Sequence, residues 1–281
     1  MEAGTYEFSG IQTAVKLNDI SDYVPDDDVN QGGIKFTFVK GGGPAKFGIT
    51  IPGISDDARA NFLADERLGA NTMQSGQRAW GDIDRWDSRS GSFAWQQYIS
   101  MTPDPEAPLQ SSDLAYTYLG NWAQSNSTYI IDRRGFFVAG FQTPVGQVPT
   151  SGSARFGGVG TVQGQMFAGP VASRSLLGDS ELIADFGAGK VTGTFKNMMV
   201  SGNSALEPWN TINIAASISG NGFAGTTSSQ AHPGTFSLGE SSGNIKGGFY
   251  GPNAREVGAV WTLSDGTNSA AGVLGAKRMV P

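Results

Sequence analysis

Hydrophobic and polar residues alternate in short runs along most of the chain. LAYTYLGNWA (residues 114–123) and FFVAGFQT (residues 136–143) interleave large apolar residues with small or polar ones. This alternation is typical of half-buried β-strands, because successive side chains of a strand point to opposite faces of its sheet. The aromatic density of these runs favours core packing over a ligand groove. The pattern therefore predicts an all-β protein with minor α content.

The first half of the chain predicts an irregular, mainly β unit. We expect strands at residues 4–9, 33–39 and 47–51, with an exposed loop at residues 26–28. One short helix is expected at residues 55–68, because Ser55 suits an N-cap and acidic residues fill the first turn. A connector rich in Pro and Gly at residues 144–152 ends this half. Residues 1–149 are thus predicted to form one subdomain.

The second half, residues 150–281, predicts a soluble eight-stranded antiparallel β-barrel. Its strand-like runs carry Gly, Ser, Thr, Lys and Asn on alternate faces, which favours a filled soluble barrel over a transmembrane one. Tight turns between them are expected from the 41 glycines of the chain. Nine strand-like runs are expected, of which about eight form the barrel: residues 154–162, 181–186, 190–200, 211–218, 222–226, 234–238, 245–250, 257–263 and 271–276.

Composition excludes several classes of function. The chain has no Cys, which excludes disulfides, thiolate metal sites and a lipid attached through a cysteine of this sequence. A net charge of −6 with scattered Lys and Arg argues against nucleic acid as a partner. No apolar run approaches the ~18 residues of a membrane helix, so we expect a chain that does not span the membrane.

The end of the chain resembles a known family. FYGPNAREVGAVW (residues 249–261), where a Tyr-Gly-Pro-Asn turn joins two strand-like runs, and GVLGAKR (residues 272–278) resemble the C-terminal signature of the barrels of transferrin-binding protein B and its relatives. VPTSGSARFGGVGTV (residues 148–162) is similar to the entry of that barrel. YTYLGNW (residues 116–122) and GFFVAGFQTP (residues 135–144) resemble the strands of the family's "handle" subdomain.

The resemblance implies a function as well as a fold. The family includes surface lipoproteins and secreted hemophilins that capture heme, so we expect a non-enzymatic bacterial binding protein on the outer face of the outer membrane or secreted. It would capture heme or another iron source for an outer-membrane receptor, with a host protein as a further partner. The alternative is a structural or adhesive surface protein, or a host-protein-binding module with no small-molecule ligand.

His232 is the candidate heme ligand. It is the only histidine of the chain and therefore its only imidazole for heme iron or for a Ser-His pair. A heme site would use His232 alone or with a Tyr or Met. The alternative is a solvated turn residue, because His232 precedes Pro233 and Gly234 in a polar loop.

Other polar clusters give weaker signals. Asp82, Asp84 and Asp87 could attract a hard cation but lack the Gly and the distal Glu of a calcium loop, so a solvated loop is favoured. Carboxylate pairs such as Glu181 with Asp185 have no evident substrate, and no nucleophile-elbow or phosphate-binding motif occurs. Arg133 and Arg134 are expected to cap a hairpin. The sequence predicts no enzyme, no metal site and no certain cofactor.

Overall fold

The structure, a computed structural model, describes residues 4–18, 22–25, 34–40, 46–50, 83–90, 93–100, 114–125, 131–168 and 172–279. These residues form two antiparallel sheets, and their one helical element is the 3₁₀ turn Val145–Gln147. In the ranges described, no helix has the length and apolar character needed to cross a membrane. The helix predicted at residues 55–68 and the loop predicted at residues 26–28 lie outside the described residues.

The first sheet contains the strands before the connector. We call it the handle sheet. Its strands are β1 Gly4–Asn18, β2 Asp22–Pro25, β3 Ile34–Lys40, β4 Lys46–Thr50, β5 Ile83–Ser90, β6 Phe93–Ser100, β7 Thr117–Ser125 and β8 Ile131–Gly140. Their order in the sheet is β4-β3-β1-β8-β7-β6-β5, and the short β2 pairs with the end of β1.

The second sheet closes into an eight-stranded antiparallel barrel, as the sequence predicts. The strands are β9 Ser153–Ala168, β10 Ala172–Asp185, β11 Lys190–Ser201, β12 Leu206–Pro208, β13 Ile212–Ser219, β14 Gly222–Ser229, β15 Ser241–Tyr250, β16 Glu256–Ser264 and β17 Ser269–Lys277. Their order is β10-β9-β17-β16-β15-β14-β13-β11, and the pairing of β10 with β11 closes the ring. The short β12 pairs with the end of β11.

The barrel interior is filled with side chains. In β13 the apolar residues Ile212, Ile214 and Ala216 are buried while the residues between them are exposed, as a strand with one wet face requires. Phe249 lies at one end of this core, with its ring centroid 5.4 Å from that of Phe186 and 5.7 Å from that of Phe223. The barrel therefore has a packed centre without an open lumen.

The handle sheet packs against the outside of β16 and β17. Both strands are buried almost throughout, because one face looks into the barrel and the other faces the handle. Leu119 and Val138 of the handle share an apolar cluster with Val260 and Val273 of the barrel. This explains why residues 257–263 and 270–276 are apolar without alternation.

Some sequence predictions are wrong in detail. Residues 234–238 form a turn, not a strand. Residues 84 and 87 lie in β5 and not in a loop. Arg133 and Arg134, expected to cap a hairpin, lie near the start of β8. Several barrel strands are also longer than predicted, with 16 residues in β9 and 14 in β10. The division into domains at residue 149 stays a prediction.

Candidate functional site

The loops of the barrel gather at two ends. One end, here called the distal end, carries the β9–β10, β11–β13, β14–β15 and β16–β17 connections. The other, here called the connector end, carries the β10–β11, β13–β14 and β15–β16 turns. It also carries the connector from the handle, which in the structure is residues 141–152 and pairs with the barrel through a β-bridge between Gln142 and Tyr250. Because a filled barrel holds its loops on a rigid base, both ends can serve as binding surfaces.

His232 lies at the distal end, in the β14–β15 connection. The side chain is half-buried, and its ring nitrogen Nδ1 is 3.1 Å from Ser237 Oγ. This contact holds the ring in place and makes Nε2 the nitrogen that could coordinate a ligand.

A side-chain network shapes the loop around His232. Asn210 is fully buried, donates to the backbone oxygens of Gln230 and Leu238 and accepts from the Leu238 N–H. Trp209 Nε1 donates to Phe236 O at 2.9 Å. These bonds satisfy the backbone polar groups that a strand would pair with a neighbour, which is why residues 234–238 do not extend a sheet.

The surroundings of His232 set limits on a heme site. A heme needs an apolar slot beside its axial ligand. The aromatic ring of this loop, Phe236, has one face covered by the Arg174 guanidinium, 3.5 Å from the ring centroid. The tyrosines whose side chains the structure describes, Tyr116, Tyr118 and Tyr250, lie towards the connector end. None of these three can therefore share a heme with His232, whose role as a heme ligand stays a prediction.

A pocket of about 390 Å³ lies at the connector end and is open to solvent. Three segments that are distant in sequence form its walls: the residues before β7, the connector, and the β15–β16 turn. The lining is mainly apolar, with the amides of two glutamines. The lining residues are Ala115, Tyr116, Phe141, Gln142, Pro144, Gln147, Gly251 and Pro252.

A buried carboxylate holds the first wall in place. Glu256 is 1% exposed, and its oxygens accept hydrogen bonds from Ala115 N at 2.7 Å, Tyr116 N at 3.0 Å and Thr117 Oγ1 at 2.9 Å. These three bonds cross from the barrel to the handle. Burial raises the pKa of the Tyr118 hydroxyl, and the nearby Glu256 carboxylate raises it further.

The β15–β16 turn is held in a left-handed conformation. Gly251 has φ +71°, and a Cβ there would overlap the Tyr116 ring. Ala254 also has positive φ, at +54°, with its side chain buried in the barrel core. An alanine in this region costs about 1 kcal/mol or more, so the surrounding contacts must impose the conformation.

The remaining candidate residues are not brought together. Glu181 pairs on the outer wall with Lys196 at 2.7 Å, while Asp185 accepts a bond from Ala188 N, so each carboxylate has its own structural contact. Arg134 donates from Nη1 to Gln165 Oε1 at 2.7 Å. Asp82 lies outside the described residues. Within the described ranges, no group of three or more His, Cys, Asp or Glu residues could hold a metal.

Sequence reasoning missed the pocket and Glu256. Tyr116, the connector and the Gly251-Pro252 turn each stand out in the sequence, but as core, boundary and turn. Nothing in their spacing indicates that they meet. Glu256 carries the clearer signal, because it is the one acidic residue in the mainly apolar segment at residues 249–261. A buried acidic residue needs a hydrogen-bond or ionic partner.

The barrel is similar in sequence to known proteins. Residues 148–278 match the family described as C-lobe and N-lobe beta barrels of Tf-binding protein B. Transferrin-binding protein B of Moraxella catarrhalis is 32% identical over 147 residues, which cover 47% of this chain and 19% of that protein. An uncharacterized protein of Haemophilus influenzae is 38% identical over 102 residues, covering 36% of this chain and 29% of its own length.

A solved structure from the same group is also similar. Isotype 1 transferrin-binding protein B of serogroup B Neisseria meningitidis is 19% identical, with a TM-score of 0.46 over 97% of this chain and 44% of that chain. The chain spans less than a third of the length of either curated relative. The family match confirms the resemblance seen in the sequence: residues 148–278 carry a barrel of the transferrin-binding protein B type.

Proposed function

We propose that this chain is a non-enzymatic binding protein of the bacterial cell surface or secreted medium that captures an iron source for an outer-membrane receptor. The observation that carries the proposal is the match of residues 148–278 to the barrels of transferrin-binding protein B. A relative in Moraxella catarrhalis bears that protein's name. The iron source is either an iron-binding host protein such as transferrin or free heme.

The fold supports binding over catalysis. The barrel centre is filled by apolar side chains. At the distal end the buried Asn210 amide satisfies backbone groups, and on the outer wall Glu181 pairs with Lys196. Loops on such a scaffold can vary to fit a ligand without disturbing the core. In the heme form of the proposal, His232 provides Nε2 as the axial ligand.

Two titrations of the purified chain test the proposal. Binding of iron-loaded and iron-free transferrin to the immobilised chain is measured by interferometry, and heme addition is followed by absorbance. We expect one of the two to saturate. A Soret shift lost in His232→Ala but kept in Gln230→Ala, a change in the same loop, would assign heme to His232. If neither titration saturates, an iron source is the wrong ligand.

A second candidate function is a host-protein-binding or adhesive module with no small-molecule ligand. One observation favours it: Val145 is 63% exposed beside the open, apolar-lined pocket at the connector end. Exposed apolar surface of this kind is common where a protein partner docks. This candidate gains support if both titrations fail while the chain still binds host cells or matrix proteins.

A further inference from the structure

We infer that the pocket at the connector end is a binding site for an uncharged, ring-bearing side chain, a proline or an aromatic residue, presented by a polypeptide partner. This inference deepens the proposed function, and it rests on that function only in assuming that a polypeptide partner exists. It uses residues at the opposite end of the barrel from His232.

Hydrogen bonds between the three walls hold the pocket in shape before any ligand binds. The connector joins the handle through Phe141 N and Tyr116 O at 2.8 Å, and it joins the barrel through Thr143 N and Phe249 O at 2.9 Å. Gly251 N donates to Phe141 O at 2.8 Å, and Thr143 Oγ1 donates to Gly251 O at 2.6 Å. A pocket held by its own hydrogen bonds loses little entropy when a ligand enters.

The lining determines the chemistry of the ligand. Tyr116, Phe141, Pro144 and Pro252 offer ring and pyrrolidine faces, and none of the lining residues is charged, although the chain carries a net charge of −6. A charged group would lose its water without gaining a partner there, whereas a ring would gain apolar contact. Gln147 adds an amide that can bond a peptide backbone, whereas the Gln142 Oε1 already accepts from Asn221 Nδ2 at 3.4 Å. Grooves that recognise proline-containing peptides combine the same features.

The open side favours a side chain carried by a polypeptide over a free small molecule. A small molecule is tightly held when a cavity encloses most of its surface, and this pocket leaves one side in solvent. A side chain can enter through that opening while its backbone runs across the rim. The rim offers such a backbone further apolar surface, because Pro144, Val145 and Pro252 are exposed.

The test uses the full chain and defined probes. Backbone NMR shifts are followed while N-acetyl amides of proline, tryptophan, lysine and glutamate are added, followed by the tripeptide Ac-Gly-Trp-Gly-amide. We expect saturable shifts centred on residues 115, 116, 141, 147 and 251 for the two ring-bearing amides, with Kd on the order of 1 mM. We expect the tripeptide to bind tighter by roughly threefold or more, because its backbone adds contacts with the rim.

A filled-pocket variant provides the control. In Ala115→Trp the new indole occupies the pocket from an exposed position, so the shifts should disappear, while Ala205→Trp, an equally exposed change at the distal end, should leave them unchanged. Equal binding of the lysine or glutamate amides would overturn the ligand chemistry. A tripeptide no tighter than the tryptophan amide would overturn the polypeptide source, and absent shifts would overturn the site.

The two proposals can fail separately. If transferrin or heme binds while the amides do not, the pocket is not a ring site and the proposed function stands. If the ring-bearing amides bind at the pocket while transferrin and heme do not, the site stands and the iron source is wrong.

Discussion

Glu256 is a direct polar link between the handle and the barrel. Its carboxylate accepts three hydrogen bonds from Ala115, Tyr116 and Thr117. In Glu256→Gln the amide NH₂ would face at least one of these donors and leave it unpaired in a buried place. We expect the free energy of unfolding to fall by about 2 kcal/mol, measured by urea denaturation.

The exposed Glu240→Gln is the matched control for that change, and its effect should stay within about 0.5 kcal/mol. Equal stability of the two variants would mean that the Glu256 hydrogen bonds add no measurable stability to the contact between handle and barrel. It would also remove one of the two reasons for regarding the Tyr116 wall of the pocket as fixed, leaving the bond from Phe141 N to Tyr116 O.

Asp265, at the distal end, is expected to stabilise the fold in a way that depends on pH. Burial alone would raise the pKa of its carboxyl, but N–H groups of Asn268, Gly239 and Thr267 bond to it and hold the pKa below its usual value. Because the pKa is lower in the folded state than in the unfolded state, the Asp265 carboxylate stabilises the fold at pH values above the ordinary pKa of 3.8. This stabilisation is lost as the pH falls through the folded-state pKa.

The test compares wild type with Asp265→Asn. We expect the variant to be less stable by about 1 kcal/mol near neutral pH, because the amide is a weaker acceptor than the carboxylate, and the difference should shrink below roughly pH 4. Urea unfolding at several pH values measures it. Asp185→Asn, which loses a carboxylate with one backbone bond, should show a smaller difference. A difference that does not change with pH would contradict the role of the charge.

At the scale of elements, the seam between β9 and β17 depends on two facing glycines. Gly164 and Gly272 are register partners, and the Trp261 ring lies against both. A Cβ at Gly272 would overlap the backbone oxygen of Gln163 and approach the indole, so neither neighbour can yield easily. We expect Gly272→Ala to cost about 2 kcal/mol or more in urea unfolding.

Gly146→Ala is the matched control for the seam, because a Cβ at Gly146 meets nothing within 4 Å. Its stability should differ from wild type by less than about 0.5 kcal/mol. If Gly272→Ala were equally neutral, the closing strands would be able to shift apart, and the barrel would be less tightly packed there than its contacts indicate.

Strand positions are predictable from the sequence where one face of a strand is wet. Residues 211–218 alternate, and β13 is Ile212–Ser219. The prediction is wrong at residues 234–238, because the buried Asn210 supplies the hydrogen bonds that a neighbouring strand would give. The full lengths of β9 and β10 were missed because their glycines and serines interrupt the apolar pattern.

The candidate site was less predictable than the fold. His232 could be picked from the sequence because it is the only histidine, but its contact with Ser237 and the distance to the described tyrosines could not. The pocket needs residues 116, 144 and 251 to meet, which depends on how the handle packs on the barrel. Local patterns carry no information about contacts between residues more than a hundred positions apart.

At the scale of the whole molecule, the interface between handle and barrel makes the two sheets mutually dependent. Leu119, Phe136 and Val138 of the handle are 4% exposed or less and pack against β16 and β17. Gly258 and Gly275 give these side chains room, because a Cβ at Gly258 would overlap Val138 and one at Gly275 would overlap Leu119. A large apolar interface of this kind couples the folding of the units that it joins.

The coupling can be broken by one charge. Val138→Asp places a carboxylate in the interface without a partner, which costs several kcal/mol or expels the handle from the barrel. We expect wild type to unfold in one transition by near- and far-UV circular dichroism, and the variant to show two. Limited proteolysis read by mass spectrometry should then cut the variant first within residues 4–140. Ile183 lies on the outer wall of the barrel and is 37% exposed, so Ile183→Asp should behave as wild type. One shared transition in Val138→Asp would mean that hydrogen bonds between handle and barrel, such as those of Glu256 and Arg134, couple the two sheets without the apolar interface.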